Sequence, residues 1–428
     1  MEKKFSDRVI LHCDCNNFFA SVETALDPSY RNVPMAVCGS EEDRHGIVLA
    51  KNELAKRYGI KTAETVYSAR KKCPKLVIAK PHHKAYEEYS RRVNLIYARY
   101  TDMIEPFGID ESWLDVTASG KLFGDGLTIA NRIREDVKRE IGITVSVGVS
   151  FNKIFAKLGS DYKKPDAVTV IDHSNFQRIV YPLPVGSLLF IGKRTEQELS
   201  ALGIHTIGEL ALTETELLER KFGKMGRVIH KYAIGSDDSP VAHAGEHEAA
   251  KSVGSGLTFS RDLRTRDEWR VGINHLSEDV ARRLRMSGQK CSTVQITVKD
   301  EYLRTIQRQR PIRPETDISR EIADVAMTVL DDEWQVGKPI RMLTVTATGL
   351  VYSNMVSEQL DFFGDNNIAA RDKNKEREET IDKIRQKYGT SSIINGSIID
   401  SDIGIYAPKS RSSRNANNSD TFDEHKIK

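Results

Sequence analysis

A chain of 428 residues, 39% hydrophobic and 29% charged, has room for about three domains with real cores and the composition of an ordinary globular protein. No run approaches the roughly 18 apolar residues of a membrane span, Met1–Arg8 is polar and charged rather than a signal peptide, and a net charge of +3 leaves any basic partner surface to be local. Five cysteines (Cys13, Cys15, Cys38, Cys73, Cys291) form no Cys-x-x-Cys pair, and their odd count and scatter point to reduced thiols in a cytoplasm.

Val9–Cys13 reads as a short apolar strand with Asp14 at its carboxyl end, and a helix is expected to start after Asn17. Residues 51–84 carry ten lysines and arginines against Glu53 and Glu64, a density that suits a polyanion. Small helices over Asn52–Tyr58 and Val66–Lys72 are broken by Gly59. His82 and His83 are adjacent without a third ligand nearby, so they read as surface residues rather than a zinc site. The helix that follows, Ala85–Tyr100, spaces Tyr86, Tyr89, Val93, Ile96 and Tyr97 along one side.

Gly108–Val116 is the stretch that organises the chemistry. Two short strands meet at a turn carrying Asp110 and Glu111. Adjacent carboxylates repel, and a hard divalent cation, magnesium or manganese, relieves that repulsion. Asp14 on its own strand end supplies the third carboxylate, and three such groups can hold two metal ions about 4 Å apart, the clamp of in-line phosphoryl displacement. Leu127–Glu140 is an amphipathic helix and Thr144–Ser150 an alternating strand. After it, Lys153 and Lys157 share one helical face and Lys164 stands just before Pro165, a cluster suited to a triphosphate or a strand backbone.

Residues 183–235 change character. Phe190-Ile191-Gly192-Lys193 and Lys221-Phe222-Gly223-Lys224-Met225-Gly226 each open a helix after another, like two helix–hairpin–helix units. Glycines there allow close approach and a helix N-terminus favours phosphate. Gly235–Ala250 is polar and reads as a linker. Beyond it the pattern is strand, helix, strand, strand, helix, strand, a βαββαβ module of ferredoxin-like type. Arg304, Arg308 and Arg310 alternate on one strand, which puts them on one face and suits phosphate contacts. After Tyr352 the hydrophobic cores are expected to stop, with Glu358–Gly364 a compact apolar exception and residues 405–428 disordered.

Three runs occur in one order: Asp14-x-Asn-x-Phe-Phe-Ala-Ser-Val-Glu, Ile109-Asp-Glu-Ser-Trp-Leu-Asp, and Val147-Gly-Val-Ser-x-Asn-Lys-x-Phe-Ala-Lys, the last followed by Lys164-Pro165. Over residues 8–350 the chain resembles Y-family translesion DNA polymerases of the UmuC-like (ImpB/MucB/SamB) branch, similar to bacterial and phage UV-damage repair proteins. Asn16, where other branches carry a second aspartate, is a UmuC-like trait. The resemblance implies an α+β right hand. Its palm would be residues 1–17 and 82–172, its small fingers 18–81 and its helical thumb 173–240. A linker, 241–250, would lead to the ferredoxin-like little finger, 251–351, and a flexible tail, 352–428.

It also implies that Asp14 and Asp110 bridge two Mg²⁺ ions, for which Mn²⁺ could substitute. Glu111 would complete the site near the primer 3′-oxygen, and the Cys15 carbonyl would ligate the nucleotide-side ion. Phe19 would be the steric gate against a ribose 2′-hydroxyl, with Phe18 beside the nucleotide and Lys56 and Lys164 on the triphosphate. Glu53 stands where some relatives carry a phosphate-binding tyrosine. Gly192, Gly223, Gly226, Arg304, Arg308 and Arg310 would contact DNA. Gln359, Leu360, Phe362 and Phe363 resemble a sliding-clamp-binding peptide. The implied protein is a monomeric, cytoplasmic, error-prone DNA polymerase of SOS-type damage tolerance, working on primer-template DNA and dNTPs, and the resemblance leaves room for an accessory mutagenesis subunit. Two other readings are a catalytically weak accessory protein that binds damaged DNA and a two-metal nuclease. The intact carboxylates oppose the first, and a sugar-inspecting Phe19 opposes the second.

Overall fold

The computed structural model describes residues 8–40, 46–246, 249–355, 367–398 and 401–405. The chain divides near residue 247 into two compact units. In chain order the first begins with β1 (Ile10–Cys15), α1 (Phe18–Leu26), β2 (Met35–Cys38), β3 (Val48–Lys51), α2 (Glu53–Arg57), α3 (Val66–Lys72) and β4 (Val77–Ala79). It continues through α4 (His83–Tyr97), β5 (Ile104–Pro106), β6 (Glu111–Asp115), α5 (Gly120–Phe123), α6 (Gly126–Ile141), β7 (Val145–Ser150), α7 (Lys153–Tyr162) and β8 (Val168–Ile171). It closes with α8 (Phe176–Val180), α9 (Lys193–Ser200), α10 (Ile207–Leu212), α11 (Thr215–Phe222) and α12 (Lys224–Ala233).

Its main sheet has the order β5-β6-β1-β7-β8. All six residues of β1 are buried, as a central strand covered on both faces requires. One cover is α7, which approaches β7 so closely that a Cβ on Gly148 would lie 1.8 Å from the Ala156 carbonyl oxygen. Only glycine permits that approach, and it brings the lysines of α7 to the end of β1. A smaller sheet, β3-β2-β4, carries α2 and α3 around a separate apolar cluster. Helices α8 to α12 share a third cluster built on Leu199, Ile207, Leu210, Leu218 and Ile229.

The expected linker is partly fastened down. Val241 is buried against Ile10, Trp113 and Ala156. The Ala242 N–H donates to Glu105 Oε2 at 3.0 Å, and the Ala244 N–H donates to the Asp102 carbonyl at 2.9 Å. One apolar residue in a polar run leaves little periodic signal, so the expected boundary at 240/241 is displaced toward the carboxyl end.

The second unit contains β9 (Ser252–Leu263), α13 (Arg266–Met286), β10 (Gln289–Lys299), β11 (Thr305–Thr316), α14 (Ser319–Glu333) and β12 (Ile340–Tyr352), the expected βαββαβ succession. The sheet runs β11-β10-β12-β9 with every neighbouring pair antiparallel. Trp269, Ile273, Val280 and Leu284 of α13 bury one face of it, together with Ile322, Ala326 and Leu330 of α14.

The expectation of a flexible tail after residue 352 is corrected. A long helix, α15 (Asn367–Tyr388), belongs to this unit, and Ile398, Ile403 and Ile405 enter its core. Among the described side chains of α15 only Glu378 is buried, so the helix is seated by ion pairs: Arg371 with Glu321, Arg285 with Glu378 and Asp382, and Arg385 with Glu278. A helix with one buried residue has no apolar stripe to read. Glu378 also accepts from the Ser319 N–H and hydroxyl, capping α14, whose own N-cap position holds Ile318. Glu378→Ala is expected to destabilise this unit by about 3 kcal/mol, as breaking a buried ion pair does. Urea unfolding of the full chain measures this, with exposed Glu379→Ala as the neutral control. Equal midpoints would mean that α15 contributes nothing to the unit.

Candidate active site

Antiparallel pairing of β1 with β6 puts Asp14 directly opposite Glu111. Directly opposed residues share a face, with Cβ atoms about 5 Å apart, so two carboxylates separated by 97 positions become neighbours. Asp110 precedes Glu111, and its carbonyl accepts the Cys15 N–H at 3.0 Å, locking the turn onto the end of β1. The acidic turn expected at Asp110 and Glu111 and the strand-end Asp14 therefore converge.

The electrostatics record that crowding. Burial raises Asp14 to about 7, with the charge of Glu111 adding to the rise and Lys164 opposing it. Burial and the neighbouring Glu111 also lift Asp110. Glu111 goes the other way: burial opposes its ionisation, yet His12 and Lys157 beside it hold it down at about 2. Burial keeps His12 below its usual pKa. Two lysines serve as counter-ions. The Lys164 ammonium donates to Asp14 Oδ2 at 2.6 Å, and Lys157 donates to Glu111 Oε2. Among the described residues no three potential ligands stand grouped as a ready metal cage. The donor set is nonetheless all-oxygen and anionic, its two aspartates resist ionisation without a cation, and lysines balance the charge. That chemistry fits a hard divalent ion.

The residues expected beside a nucleotide form a second group. Asn17 takes the left-handed conformation at the entrance to α1 (φ 50°), which asparagine tolerates, and its amide donates to Glu53 Oε1 at 2.9 Å. Lys56 stands 3.5 Å from the same Glu53 oxygen, so this glutamate neutralises the lysine expected on a triphosphate. The Phe19 ring is stacked on Tyr86 at 4.1 Å and an interplanar angle of 13°. Phe18 is 3% exposed, so its ring belongs to the core rather than to a nucleotide surface. Asn16 is equally buried, its amide spent on Thr144 and Ser146. The Cys15 thiol is buried and Cys15 ends β1. His82 Nδ1 is hydrogen-bonded to the buried Glu23 carboxylate at 3.0 Å, which makes it a structural partner.

The remaining expectations divide. Gly192 is the N-cap of α9 and Gly223, with φ +60°, caps α12. Gly226 is explained by packing instead: a Cβ there would meet the Leu218 carbonyl oxygen at 2.2 Å. The reading of the three arginines is corrected by register. Arg308 and Arg310 face Ile296 and Val294 across the ladder, on the helix-covered side. They pair with Glu333 at 3.0 Å and Asp332 at 2.6 Å, near the end of α14. Arg304 precedes β11 and lies 3.7 Å from Asp300. The open side of the sheet carries Gln295, Thr297, Gln307, Gln309, Thr344 and Thr346, with Gly254 and Gly256 opposite the last two. Alternation along β10 and β12 shows this polar face. Gln359, Leu360, Phe362 and Phe363 lie outside the described residues.

Comparison with known proteins bears on the whole arrangement. The family described as impB/mucB/samB matches residues 13–161, and its C-terminal domain matches residues 250–362. DNA polymerase IV of Acetivibrio thermocellus is 48% identical over 392 residues, covering 92% of this chain and 98% of that protein. DNA polymerase IV of Moorella thermoacetica is 42% identical over 386 residues, covering 90% and 94%. A solved Y-family DNA polymerase chimera has a TM-score of 0.70 at 24% identity, covering 80% of this chain and 99% of that one, a likeness of fold.

Proposed function

The chain belongs to the impB/mucB/samB family, and from that premise we propose that it is a Y-family DNA-directed DNA polymerase that performs error-prone synthesis past damaged template bases. The observation that carries this reading is the register of Asp14 with Glu111, beside Asp110, at one end of the central sheet. The five-stranded sheet is the palm, the three-stranded sheet with its basic helices the fingers, the α8–α12 cluster the thumb, and the second unit's βαββαβ module the little finger. The open threonine, glutamine and glycine face of that module is suited to a DNA backbone, because it can approach closely and read no base.

Asp14 and Asp110 would hold two Mg²⁺ ions, or Mn²⁺ in their place, with the Cys15 carbonyl on the nucleotide side and Glu111 toward the primer. Held by these residues, the ions would lower the pKa of the primer 3′-hydroxyl and neutralise the triphosphate and leaving pyrophosphate. Lys164 turns from Asp14 to the triphosphate, and Lys56 joins it once free of Glu53. Phe19 stands under the sugar. The hairpins at Gly192 and Gly223 track the duplex backbone through helix N-termini.

Residues Gln359–Phe363 fit a sliding-clamp pocket, Gln359 bonding at its rim while Leu360 and Phe363 fill it. Alanine at Gln359, Leu360 and Phe363 together should abolish clamp-stimulated synthesis and spare basal synthesis. Stimulation that survives would refute the assignment. Among the described residues no helix is long and apolar enough to cross a membrane. The deciding assay is primer extension with Mg²⁺ and four dNTPs on a template bearing an abasic site or a pyrimidine dimer. Extension past the lesion is expected. Synthesis that stops at the lesion removes the translesion reading, and damaged-DNA binding with no synthesis at all leaves an accessory protein.

A further inference from the structure

Lys157 has no part in the chemistry described above, yet it is built into the site more firmly than Lys164. It sits on α7 where the bare Gly148 lets that helix press against the sheet. Its side chain is 17% exposed, against 27% for Lys164. Its ammonium lies 5.3 Å from the centre of the Phe107 ring, a contact that favours a cation, and donates to Glu111 Oε2. On the far side of the same oxygen is His12, fully buried, with Nε2 at 3.3 Å.

His12 is tied to the same helix. The Ser160 hydroxyl donates to the Lys157 carbonyl at 2.8 Å, and His12 Nδ1 lies 2.8 Å from that hydroxyl oxygen. His12 Nε2 makes no hydrogen bond within the structure. The hydrogen bond that Glu111 Oε2 receives comes from the Lys157 ammonium. Lys157 is the donor that keeps it in place.

We propose that Lys157 is the positioning residue of Glu111: it fixes one carboxylate oxygen so that the other faces Asp14 and Asp110. This rests on the polymerase reading and deepens it. Two effects of Lys157 on a divalent cation oppose each other. Its charge repels the ion, by several-fold in affinity at the separations of a partly buried site. Its hydrogen bond orients the ligand, which matters to the reaction step because small displacements of a catalytic group are costly. Without Lys157 that repulsion is gone and Oε2 loses its anchor, so the ion binds no more weakly while the chemistry slows.

The experiment therefore measures binding and turnover separately on the full chain, for wild type, Lys157→Met and Lys157→Arg. Manganese binding is followed by electron paramagnetic resonance without DNA, and steady-state primer extension is run at saturating metal. Lys157→Met should bind Mn²⁺ as tightly as wild type or several-fold more tightly. Its kcat should fall ~10–100-fold with the dNTP KM within about twofold, the pattern of a misplaced group. Lys157→Arg, which keeps the donor, should recover part of kcat. An unchanged kcat for Lys157→Met would overturn the proposal, and so would a raised dNTP KM at constant kcat, which marks a triphosphate ligand. If Lys157→Met does not fold, Lys157→Leu, which also removes the donor, takes its place, and an unchanged kcat there overturns the proposal in the same way. A wild-type chain that extends no primer would instead sink the polymerase reading.

Discussion

Alanine at Asp110 and Glu111 together should lower primer extension by ~10³-fold or more, about 4 kcal/mol of barrier at 1.36 kcal/mol per tenfold, while duplex binding stays within about twofold. The argument is one of place and charge. Both carboxylates lie at the end of β6, beside the strand that carries Asp14, and neither supports the core of the sheet: Trp113 and Leu114 do that, at 3% and 0% exposure. Affinity for DNA comes from phosphate contacts spread over other elements, which two acidic side chains do not supply. Removing the pair also leaves Lys157 without its carboxylate, so the local charge becomes more positive and loss of binding is not expected on electrostatic grounds. Single-turnover extension and an anisotropy titration on the same duplex test the two halves. Residual synthesis near the wild-type rate would show that the reaction is not run from these carboxylates.

What could be read in the sequence follows the strength of the local signal. Asp14 at a strand end and Asp110-Glu111 at a turn are each written in short apolar runs broken by acid, and register did the rest. The βαββαβ order was legible because α13 and α14 repeat apolar residues at helical spacing. The arginines of β11 misled for a plain reason: alternation places Arg308 and Arg310 on one face, but not on which one. Only the buried partners Ile296 and Val294 identify the face, and those lie on another strand. Helix α15 escaped because its attachment is ionic and long-range, Arg285 reaching Glu378 and Asp382 across more than ninety residues. Lys157 was visible as a helical neighbour of Lys153 but not as the partner of Glu111, since the two meet only through the close approach at Gly148.

Phe19→Ala should relax the choice of sugar, lowering the dNTP-over-rNTP ratio of kcat/KM by on the order of 10²-fold, near the upper end of what one close pocket contact discriminates. The ring can act as a wall because it cannot retreat. It is stacked face to face on Tyr86, which is fully buried, and an aromatic pair of that kind contributes about 0.5–1.5 kcal/mol beyond its area. Tyr86 in turn donates its hydroxyl to Glu23, whose carboxylate is 2% exposed and also meets His82. His83 closes the edge of Phe19 at 6.0 Å. A ring so held meets a 2′-hydroxyl with a rigid surface, and alanine replaces that surface with space for the extra oxygen. Because Phe18 already fills the core beside it, the substitution opens the site without emptying the interior, and deoxynucleotide incorporation should fall far less than discrimination does. Phe19→Tyr, which retains the wall, should keep the wild-type ratio. Competition between matched dNTP and rNTP on one template reads the result, and an unchanged ratio in Phe19→Ala would remove Phe19 from sugar selection and leave the assignment of the nucleotide-facing side of α1 without support.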